Sequence, residues 1–267
     1  MTSIALTIAG SDSGGGAGIQ ADLKTFSALG VYGASVVTAL TAQNTKGVST
    51  IHDVPADFVR AQMDAVLSDI AVDASKIGML SNADTIQAVF DGLVAFDKLP
   101  VVLDPVMVAT SGDPLLNTQA IDVLKETLMK RAKLITPNLH EAAYLTGQAM
   151  AKSDEAIGEQ AQLMLDFGAR AVLLKGGHGH GDEARDFYCS GDEKYWLSAP
   201  RLKTQNTHGT GCTLSSAITA CLAKKKAMRD ALSDAKQYVS GAILGADRLN
   251  IGKGFGPTHH FHDLWNE

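Results

Sequence analysis

The segment 206–212 combines backbone groups that can bind an anion with a thiol that can act as a base. It reads Asn206-Thr207-His208-Gly209-Thr210-Gly211-Cys212 and runs directly into an apolar stretch. Glycines at a helix start leave backbone N–H groups open to phosphate, and a cysteine placed there is biased towards the thiolate. A glycine-rich turn before a core helix, with Cys212 as a small buried side chain, is the competing interpretation.

A second glycine-rich loop, 10–18, follows the first predicted strand. Its side chains are so small that a ligand could lie against the backbone. The lysine and hydroxyl residue that follow the glycines of a P-loop are missing, and the dinucleotide-binding glycine spacing does not fit. The loop therefore predicts either a ligand contact or a tight strand-to-helix turn.

Oxygen ligands follow two of the predicted strands, and ligands of open α/β sheets collect at the carboxyl ends of strands. Asp104 comes directly before Pro105, where it could hold Mg²⁺ or open a turn. Asn138 and Glu141 are three apart on one helical face. They could share a hydrated Mg²⁺, or act as a helix N-cap with a first-turn glutamate. Magnesium binding and purely structural roles are both open at this point.

Two further polar residues lie at predicted strand ends. Lys175 precedes Gly176 and Gly177, so its ammonium could reach a phosphate or simply extend into solvent from the sheet end. Gln43 lies in the run 41–45, just past another strand. Its amide offers a donor and an acceptor side by side, which complements an aminopyrimidine edge, although a turn residue is the alternative.

Histidines form two groups that invite a metal hypothesis. His178 and His180 alternate on a glycine-rich loop, whereas His259, His260 and His262 cluster near the C-terminus. Catalytic zinc takes three protein ligands on rigid elements, and these histidines lie on predicted loops without a carboxylate or thiolate at ligand spacing. We expect flap residues or solvated tail positions instead.

Short apolar runs alternate with stretches of helical periodicity along the chain. The predicted strands are 3–9, 35–40, 74–78, 101–104, 134–136 and 171–175. The predicted helices are 17–29, 56–70, 83–96, 118–129, 154–167, 212–226 and 228–249. This alternation is typical of crossover units, and the runs 183–189 and 193–198 alternate like a hairpin. The predicted fold is α/β, a doubly wound sandwich whose mostly parallel sheet has helices on both faces and a small antiparallel edge or flap.

Local signals predict several helix ends. Residues 81–84 fit a capping box, and Gly168 stands where a C-cap glycine belongs. The basic run 224–226 closes a predicted helix, so we interpret it as compensation of the helix dipole.

Composition and charge limit the classes of function. The chain has 267 residues, of which 45% are hydrophobic, and this predicts a single domain over residues 1–267. A net charge of −6 with scattered basic residues argues against a nucleic-acid surface. No stretch has the length of a membrane span and residues 1–9 lack a basic signal start, so we expect a cytoplasmic protein without membrane contact. Cys189, Cys212 and Cys221 lie far apart and indicate reduced thiols.

The order of the polar clusters resembles the ribokinase superfamily. It runs from the glycine-rich loop through Gln43, Asp104, the Asn138–Glu141 pair and Lys175 to the loop 209–212. Within that superfamily, the segments 9–22, 41–45 and 254–257 resemble the hydroxymethylpyrimidine/phosphomethylpyrimidine kinases of thiamine biosynthesis. The resemblance covers essentially the whole chain.

The resemblance implies a ribokinase-like fold and a kinase that depends on ATP and Mg²⁺. It implies phosphorylation of a small-molecule substrate, 4-amino-5-hydroxymethyl-2-methylpyrimidine, and then of its monophosphate. Backbone groups of Gly10 and Ala17 are implied to contact the pyrimidine, with Gln43 reading its amino and ring-nitrogen edge. Met79 and Val106 are implied as apolar walls. Because dimers are common in the superfamily, we also expect a homodimer.

The same resemblance implies the phosphate and metal contacts. It places the triphosphate near Lys175, with Thr210 and Asn138 in the nucleotide site and with Asp104 and Glu141 organising Mg²⁺. The implied catalytic groups are Lys175, an anion hole formed by Gly209, Gly211 and Cys212, and Cys212 as the base.

Cys212 stands where most sugar kinases of the superfamily have an aspartate base, as it does in the pyrimidine kinases. A helix N-terminus lowers a thiol pKa, so we expect a thiolate that accepts the hydroxymethyl proton. Phosphoryl transfer gains mostly from positioning and charge neutralisation, so Cys212 can contribute less than Lys175. Pyridoxine or pyridoxal kinase is the nearest rival function. A non-catalytic ligand-binding regulator and a zinc hydrolase are more distant rivals.

Overall fold

The computed structural model describes residues 1–107, 116, 118–176 and 181–265. The strands are β1 (Ile4–Asp12), β2 (Tyr32–Asn44), β3 (Gly47–Asp53), β4 (Ala74–Ile77), β5 (Val101–Leu103), β6 (Leu134–Ile135), β7 (Ala171–Lys175), β8 (Glu183–Ser190) and β9 (Lys194–Pro200). The helices are α1 (Gly18–Ala28), α2 (Ala56–Leu67), α3 (Ala83–Leu93), α4 (Thr118–Leu124), α5 (Leu139–Thr146), α6 (Asp154–Asp166), α7 (Thr210–Ala223) and α8 (Met228–Leu244). A π-helical turn over Lys125–Met129 extends α4.

All of these strands belong to one sheet of order β3-β2-β1-β4-β5-β6-β7-β8-β9. The six strands from β2 to β7 in that order pair in parallel, whereas β3, β8 and β9 pair antiparallel at the two edges. The predicted mostly parallel sheet and its antiparallel β8–β9 hairpin are therefore confirmed. Parallel strands place their carboxyl ends at one edge of the sheet, and that edge carries the polar residues of interest.

Helices cover both faces of the sheet. Leu6 and Ile8 of β1 pack with α2, α3 and their neighbours on one face. Ala5, the residue before Leu6, packs on the opposite face with Phe26 of α1 and with α7 and α8. Alternate residues of a strand point to opposite faces, and both are apolar because both faces are covered. The predicted three-layer sandwich is confirmed.

Three elements differ from the sequence prediction. Strand β3 was not predicted because its residues, Gly47–Asp53, are mostly exposed and lack an apolar run. Helix α5 was predicted only as an alternative for Asn138 and Glu141, since it spans just Leu139–Thr146. Strand β2 continues to Asn44, so Gln43 lies within the strand rather than past its end.

Several predicted helix ends are also corrected. Asn82 caps α3 by accepting a hydrogen bond from the Thr85 N–H at 2.9 Å, so the cap is an asparagine and the predicted box at 81–84 is wrong. Gly168 has φ +104° directly after the last turn of α6, as predicted for a C-cap glycine. The lysines after α7 reach other elements: Lys225 pairs with Asp73 at 2.5 Å. They therefore link elements rather than only offsetting a dipole.

Over the described ranges no helix is long and apolar enough to cross a membrane.

Candidate active site

The two glycine-rich loops contact each other through their backbones. Gly209 precedes α7 with φ +79°, and a Cβ there would lie 1.8 Å from the Gly16 carbonyl oxygen. Gly18 at the start of α1 has φ +56°, and its Cβ would lie 2.3 Å from the Gly10 carbonyl oxygen. No residue with a side chain fits these positions, since even alanine would require a strained backbone and a clash. Glycine is thus required at position 209 for the close approach of the two loops and at position 18 for the tight turn within the first loop.

Asp12 organises the N-terminal loop. Its carboxylate accepts hydrogen bonds from the N–H groups of Gly14 at 2.8 Å, Gly16 at 3.0 Å and Ala17 at 2.8 Å, and its Oδ2 lies 2.9 Å from His208 Nε2. Burial alone raises the pKa of Asp12, but the hydrogen bonds from His208 and the backbone outweigh burial and lower it. Asp12 is therefore an ionised carboxylate that joins the first loop to the segment before α7. Sequence reasoning assigned it no role.

The residues proposed for the pyrimidine come together at the carboxyl edge of the sheet. Gln43 lies on β2 at a register shift between Ala42 and Gln43, a bulge that redirects the side chain. Gly10 lies on neighbouring β1, where a Cβ would meet Met79 Cε at 2.7 Å. Val106 follows β5, and its N–H donates to the Asp104 carbonyl at 2.8 Å. These residues thus lie on, or just after the ends of, the neighbouring strands β2, β1, β4 and β5, in sheet order.

Ala17 differs from the others in its backbone bonding. Its N–H donates to Asp12 Oδ2 at 2.8 Å, and its carbonyl accepts from the Ala21 N–H at 3.1 Å. Both of its backbone groups therefore have protein partners. The part of Ala17 that remains for a substrate contact is chiefly its half-buried methyl group.

Lys175 and Asp104 form a charged pair beside the start of α7. Lys175 Nζ donates to Asp104 Oδ1 at 2.7 Å, and Asp104 also accepts from Thr136 and Ser215 hydroxyls at 3.1 and 3.3 Å. A Cβ on Gly211 would lie 3.3 Å from Lys175 Nζ, so the first turn of α7 directly adjoins the ammonium. Burial lowers the pKa of Lys175, but Asp104 and Glu141 raise it further than burial lowers it. Lys175 stays a cation in this site.

Asn138 and Glu141 form a capping box at the start of α5. The Asn138 side chain accepts from the Glu141 N–H at 2.9 Å, and Glu141 Oε2 accepts from the Asn138 N–H at 2.7 Å. The structural alternative considered from the sequence is therefore present. Burial raises the pKa of Glu141 to about 7, and the negative charge of Asp104 adds to this effect, while Lys175 opposes it. Two carboxylates that repel each other across a buried site provide the donor set that Mg²⁺ prefers.

The first turn of α7 presents backbone donors beside Lys175. The Thr213 N–H donates to the Gly209 carbonyl at 2.8 Å, so the N–H groups of Gly211 and Cys212 precede the hydrogen bonds of the helix. The Thr210 hydroxyl donates to the Thr207 carbonyl at 2.7 Å and tightens the turn. This arrangement is suited to an anion, as predicted from the glycines.

The surroundings of Cys212 favour the thiol rather than the expected thiolate. Burial raises the pKa of the Cys212 thiol to about 11, and neighbouring Asp22 and Asp104 add to the rise, although Lys76 opposes it. The helix start was expected to lower this pKa, but the loss of solvent around the sulfur outweighs that effect. At neutral pH Cys212 is a neutral thiol.

The C-terminal histidines are not solvated tail residues, contrary to the sequence prediction. His259 and His260 are buried, and His260 Nε2 lies 3.1 Å from Thr213 Oγ1 of α7. The segment that carries them is held by the His208 N–H, which donates to the Gly256 carbonyl at 3.0 Å. The C-terminal segment thus packs against the loop 206–212 and the first turn of α7. Within the described ranges no three His, Cys, Asp or Glu side chains cluster as metal ligands, and His178 and His180 lie outside those ranges.

Charge neutralisation is the chemistry that this site can perform. Donors at a helix start and a lysine ammonium that face the same space stabilise charge on a transferred phosphoryl group. Together with the sheet order and the two helical layers, they define a phosphotransferase of ribokinase-like fold.

Comparison with known proteins identifies the family. The family model described as phosphomethylpyrimidine kinase matches residues 12–259. A relative from Rhizobium meliloti (strain 1021), the hydroxymethylpyrimidine/phosphomethylpyrimidine kinase, is 59% identical over 267 residues and covers 100% of both chains. The chain belongs to the phosphomethylpyrimidine kinase family.

Two solved structures support the fold. Pyridoxal kinase from Bacillus subtilis in an ADP complex has a TM-score of 0.91 and 36% identity, with 100% of both chains covered. Phosphomethylpyrimidine kinase from Clostridium difficile 630 has a TM-score of 0.80 and 42% identity, over 90% of this chain and 99% of that chain. The identity is higher for the second structure and the coverage is higher for the first.

Proposed function

We propose that the chain phosphorylates the hydroxymethyl group of 4-amino-5-hydroxymethyl-2-methylpyrimidine and then the resulting monophosphate, which gives the diphosphate used in thiamine biosynthesis. The observation that carries this proposal is the position of Gln43. Its amide lies at the carboxyl edge of the sheet, and Gly14 and Ser13 of the first loop pack against its backbone. A side-by-side donor and acceptor complement an exocyclic amine next to a ring nitrogen.

The substrate pocket that we propose is lined by polar and apolar groups in sheet order. Gln43 reads the amino and ring-nitrogen edge, while Met79 and Val106 enclose the ring. Gly10, which has no side chain, lets the ring approach the backbone of β1. Ala17 contributes its methyl group rather than a free N–H, because Asp12 already binds that N–H.

ATP is the proposed phosphoryl donor, in agreement with the ADP complex of the Bacillus subtilis relative. Lys175 balances the charge of the transferred group, and the N–H groups that follow Gly209, at Gly211 and Cys212, form its anion hole. Thr210 and Asn138 shape the nucleotide side of the same space through their turn and cap. Because Lys175 is already paired with Asp104 at 2.7 Å, its ammonium is positioned before ATP binds.

The carboxylates of Asp104 and Glu141 would hold Mg²⁺. Glu141 carries a pKa of about 7 because it is buried and faces another carboxylate, and a divalent cation relieves that repulsion. When bound, Mg²⁺ neutralises charge on the phosphate oxygens. The residues themselves position the nucleotide: Asp104 fixes Lys175, and Glu141 caps the helix that follows β6.

Cys212 contributes mainly through its backbone N–H in this proposal. A thiol with a pKa of about 11 keeps its proton at neutral pH, so no thiolate is ready to accept the substrate proton. The base role of the sulfur stays a prediction. Turnover by Cys212→Ala that is close to that of the wild type would remove the base role and leave the anion hole intact.

A paired-substrate assay on purified protein tests the proposal. We expect kcat/KM for the aminopyrimidine alcohol to exceed that for pyridoxine, with the product carried on to the diphosphate. A clear preference for pyridoxine would favour the second candidate function, which the structural similarity to a pyridoxal kinase makes worth testing. Binding of both alcohols without ATP consumption would indicate a non-catalytic regulator, and stoichiometric zinc with hydrolysis would indicate a zinc enzyme.

We also propose that residues 1–267 act as one cytoplasmic kinase domain in a homodimer, without nucleic-acid or membrane partners. The continuous sheet from β3 to β9 supports one domain. Exposed apolar side chains on and beside β3, namely Leu40, Ile51 and Phe58, support an interface there. Sedimentation of the wild type and of a Leu40→Lys variant would test it, and a monomeric wild type would contradict it.

A further inference from the structure

The amide of Gln43 lies between two anchors that set its hydrogen-bonding direction. In the structure, Gln43 Nε2 lies 3.4 Å from His208 Nε2, and Gln43 Oε1 lies 3.1 Å from Thr41 Oγ1. His208 Nε2 also lies 2.9 Å from Asp12 Oδ2. His208 and Asp12 are both buried, so these contacts have little competition from water.

Asp12 determines which role His208 plays. Three backbone N–H groups donate to the Asp12 carboxylate, which is therefore an ionised group that only accepts. His208 Nε2 must carry the hydrogen that Asp12 accepts, whether the ring is neutral or charged. A nitrogen that carries this hydrogen cannot also accept from the Gln43 amide nitrogen.

Thr41 presents the same conflict at the other end of the amide. Its hydroxyl donates to the Ser11 carbonyl at 2.8 Å, so its single hydrogen is already used. It cannot also donate to Gln43 Oε1. Turning the amide by half a turn removes both conflicts. The carbonyl oxygen, 3.4 Å from His208 Nε2, then shares the His208 N–H with Asp12 in a three-centre hydrogen bond, and the amino group donates to the Thr41 oxygen. The nitrogen and oxygen of an amide are distinguished by such networks rather than by position.

We infer that His208, held by Asp12, and Thr41 are positioning residues that fix the Gln43 amide with its carbonyl towards His208 and its amino group towards Thr41. This inference rests on the proposed function and deepens it. The remaining lone pair and the remaining amide hydrogen of Gln43 then face the substrate in a set order. A ring with an amine next to an acceptor nitrogen matches that order, whereas a ring with a carbonyl next to an N–H presents it reversed.

The test compares the aminopyrimidine alcohol with its 4-oxo analogue, in which the amine is replaced by a carbonyl and the adjacent ring nitrogen carries hydrogen. For the wild type we expect kcat/KM to favour the amine by about a hundredfold or more, since unpaired buried groups discriminate strongly. His208→Phe keeps a ring but removes the donor and frees the amide to turn. We expect the ratio of kcat/KM for the amine to kcat/KM for the 4-oxo analogue to fall by about tenfold or more. His208→Gln places an N–H near the same point and should restore most of the ratio.

Lys24→Met is the matched control. Lys24 Nζ donates to the Gly15 carbonyl at 2.7 Å, so it supports the same loop without touching Gln43. We expect it to change kcat/KM for both alcohols together and to leave their ratio as in the wild type. A merely structural role for His208 would behave in the same way.

The outcomes separate this inference from the function on which it rests. A wild type that phosphorylates neither compound contradicts the proposed function. A wild type that uses the amine, with a ratio that stays within about twofold in His208→Phe, overturns the inference alone. If thermal unfolding shows that His208→Phe does not fold, Thr41→Val removes the other anchor: a narrowed ratio supports the inference and an unchanged ratio overturns it.

Discussion

Lys76 on β4 and Asp22 on α1 form an ion pair in which neither side chain has any solvent exposure. Lys76 Nζ lies 2.9 Å from Oδ1 and 2.8 Å from Oδ2 of Asp22. Asp22 also accepts from the hydroxyls of Thr7 on β1 and Ser216 on α7, each at 2.6 Å. Because α7 also carries Cys212 in its first turn, the pair joins the sheet to the helix that begins the candidate anion site.

Removal of one partner of this pair should destabilise the protein strongly. Asp22→Ala leaves the Lys76 ammonium buried without a counter-charge, which costs about 3–5 kcal/mol of unfolding free energy. Urea unfolding measures this cost. Lys225→Met is the control, because Lys225 is 73% exposed and its pair with Asp73 contributes about 1 kcal/mol or less. Equal losses in the two variants would contradict the role of the buried pair.

Gly209→Ala should impair both folding and activity. Its φ of +79° and the 1.8 Å approach of a Cβ to the Gly16 carbonyl force the two loops apart, so kcat/KM should fall by about a hundredfold. Gly147→Ala provides a matched comparison, since Gly147 has φ +68° but nothing within 4 Å of its Cβ. That variant should keep full activity and lose only about 1 kcal/mol of unfolding free energy. Kinetics together with thermal unfolding separate the two effects, and a fully active Gly209→Ala would refute the argument.

The affinity for Mg²⁺ should rise with pH through the pKa of Glu141. Below its pKa of about 7 the carboxyl group is protonated and binds cations poorly, so affinity should increase from about pH 6 to about pH 8. Calorimetric titration of Mg²⁺ into the protein measures this directly. Glu141→Gln should bind more weakly and flatten the pH dependence. A wild-type profile as flat as that of the variant would contradict Mg²⁺ binding at Glu141.

The raised pKa of Glu141 should also make the stability of the metal-free protein depend on pH. Its folded-state pKa of about 7 lies above the ordinary 4.5, so the folded state binds more protons than the unfolded state between these values. The contribution of Glu141 to stability is therefore present at low pH and is lost as pH rises through about 7. Urea unfolding across this window should show a smaller decline for Glu141→Gln than for the wild type. An equal decline would place the titration elsewhere.

Cys212 should react slowly with iodoacetamide at neutral pH. With a pKa of about 11, only about one thiol in a thousand is ionised at pH 8, and the rate should rise about tenfold per pH unit above that. Mass spectrometry of the labelled peptide follows Cys212 separately from the buried Cys189 and Cys221. Rapid labelling that is already complete at pH 7 would show that the site does form a thiolate.

The sequence alone determined the fold class and the residues that meet at the site. Apolar runs such as Ala171–Lys175 predicted a buried strand with the same ends as the structure, because a strand covered on both faces is apolar throughout. Asp104 and Lys175 were predicted at the carboxyl ends of strands, and the family resemblance placed both beside the loop that contains Gly211. All three lie within contact distance. Edge strand β3 escaped prediction because exposure removes the apolar signal.

Only the tertiary structure decided how these groups are charged and held. The Cys212 thiol was expected to be ionised from its place at a helix start, but burial raises its pKa to about 11. Asp12 and His208 are far apart in sequence, and their 2.9 Å contact exists only because the two glycine loops touch. Hydrogen bonds of this kind and the degree of desolvation depend on the packing of distant segments. Periodicity and local spacing carry no information about these contacts, whereas they do determine which elements form.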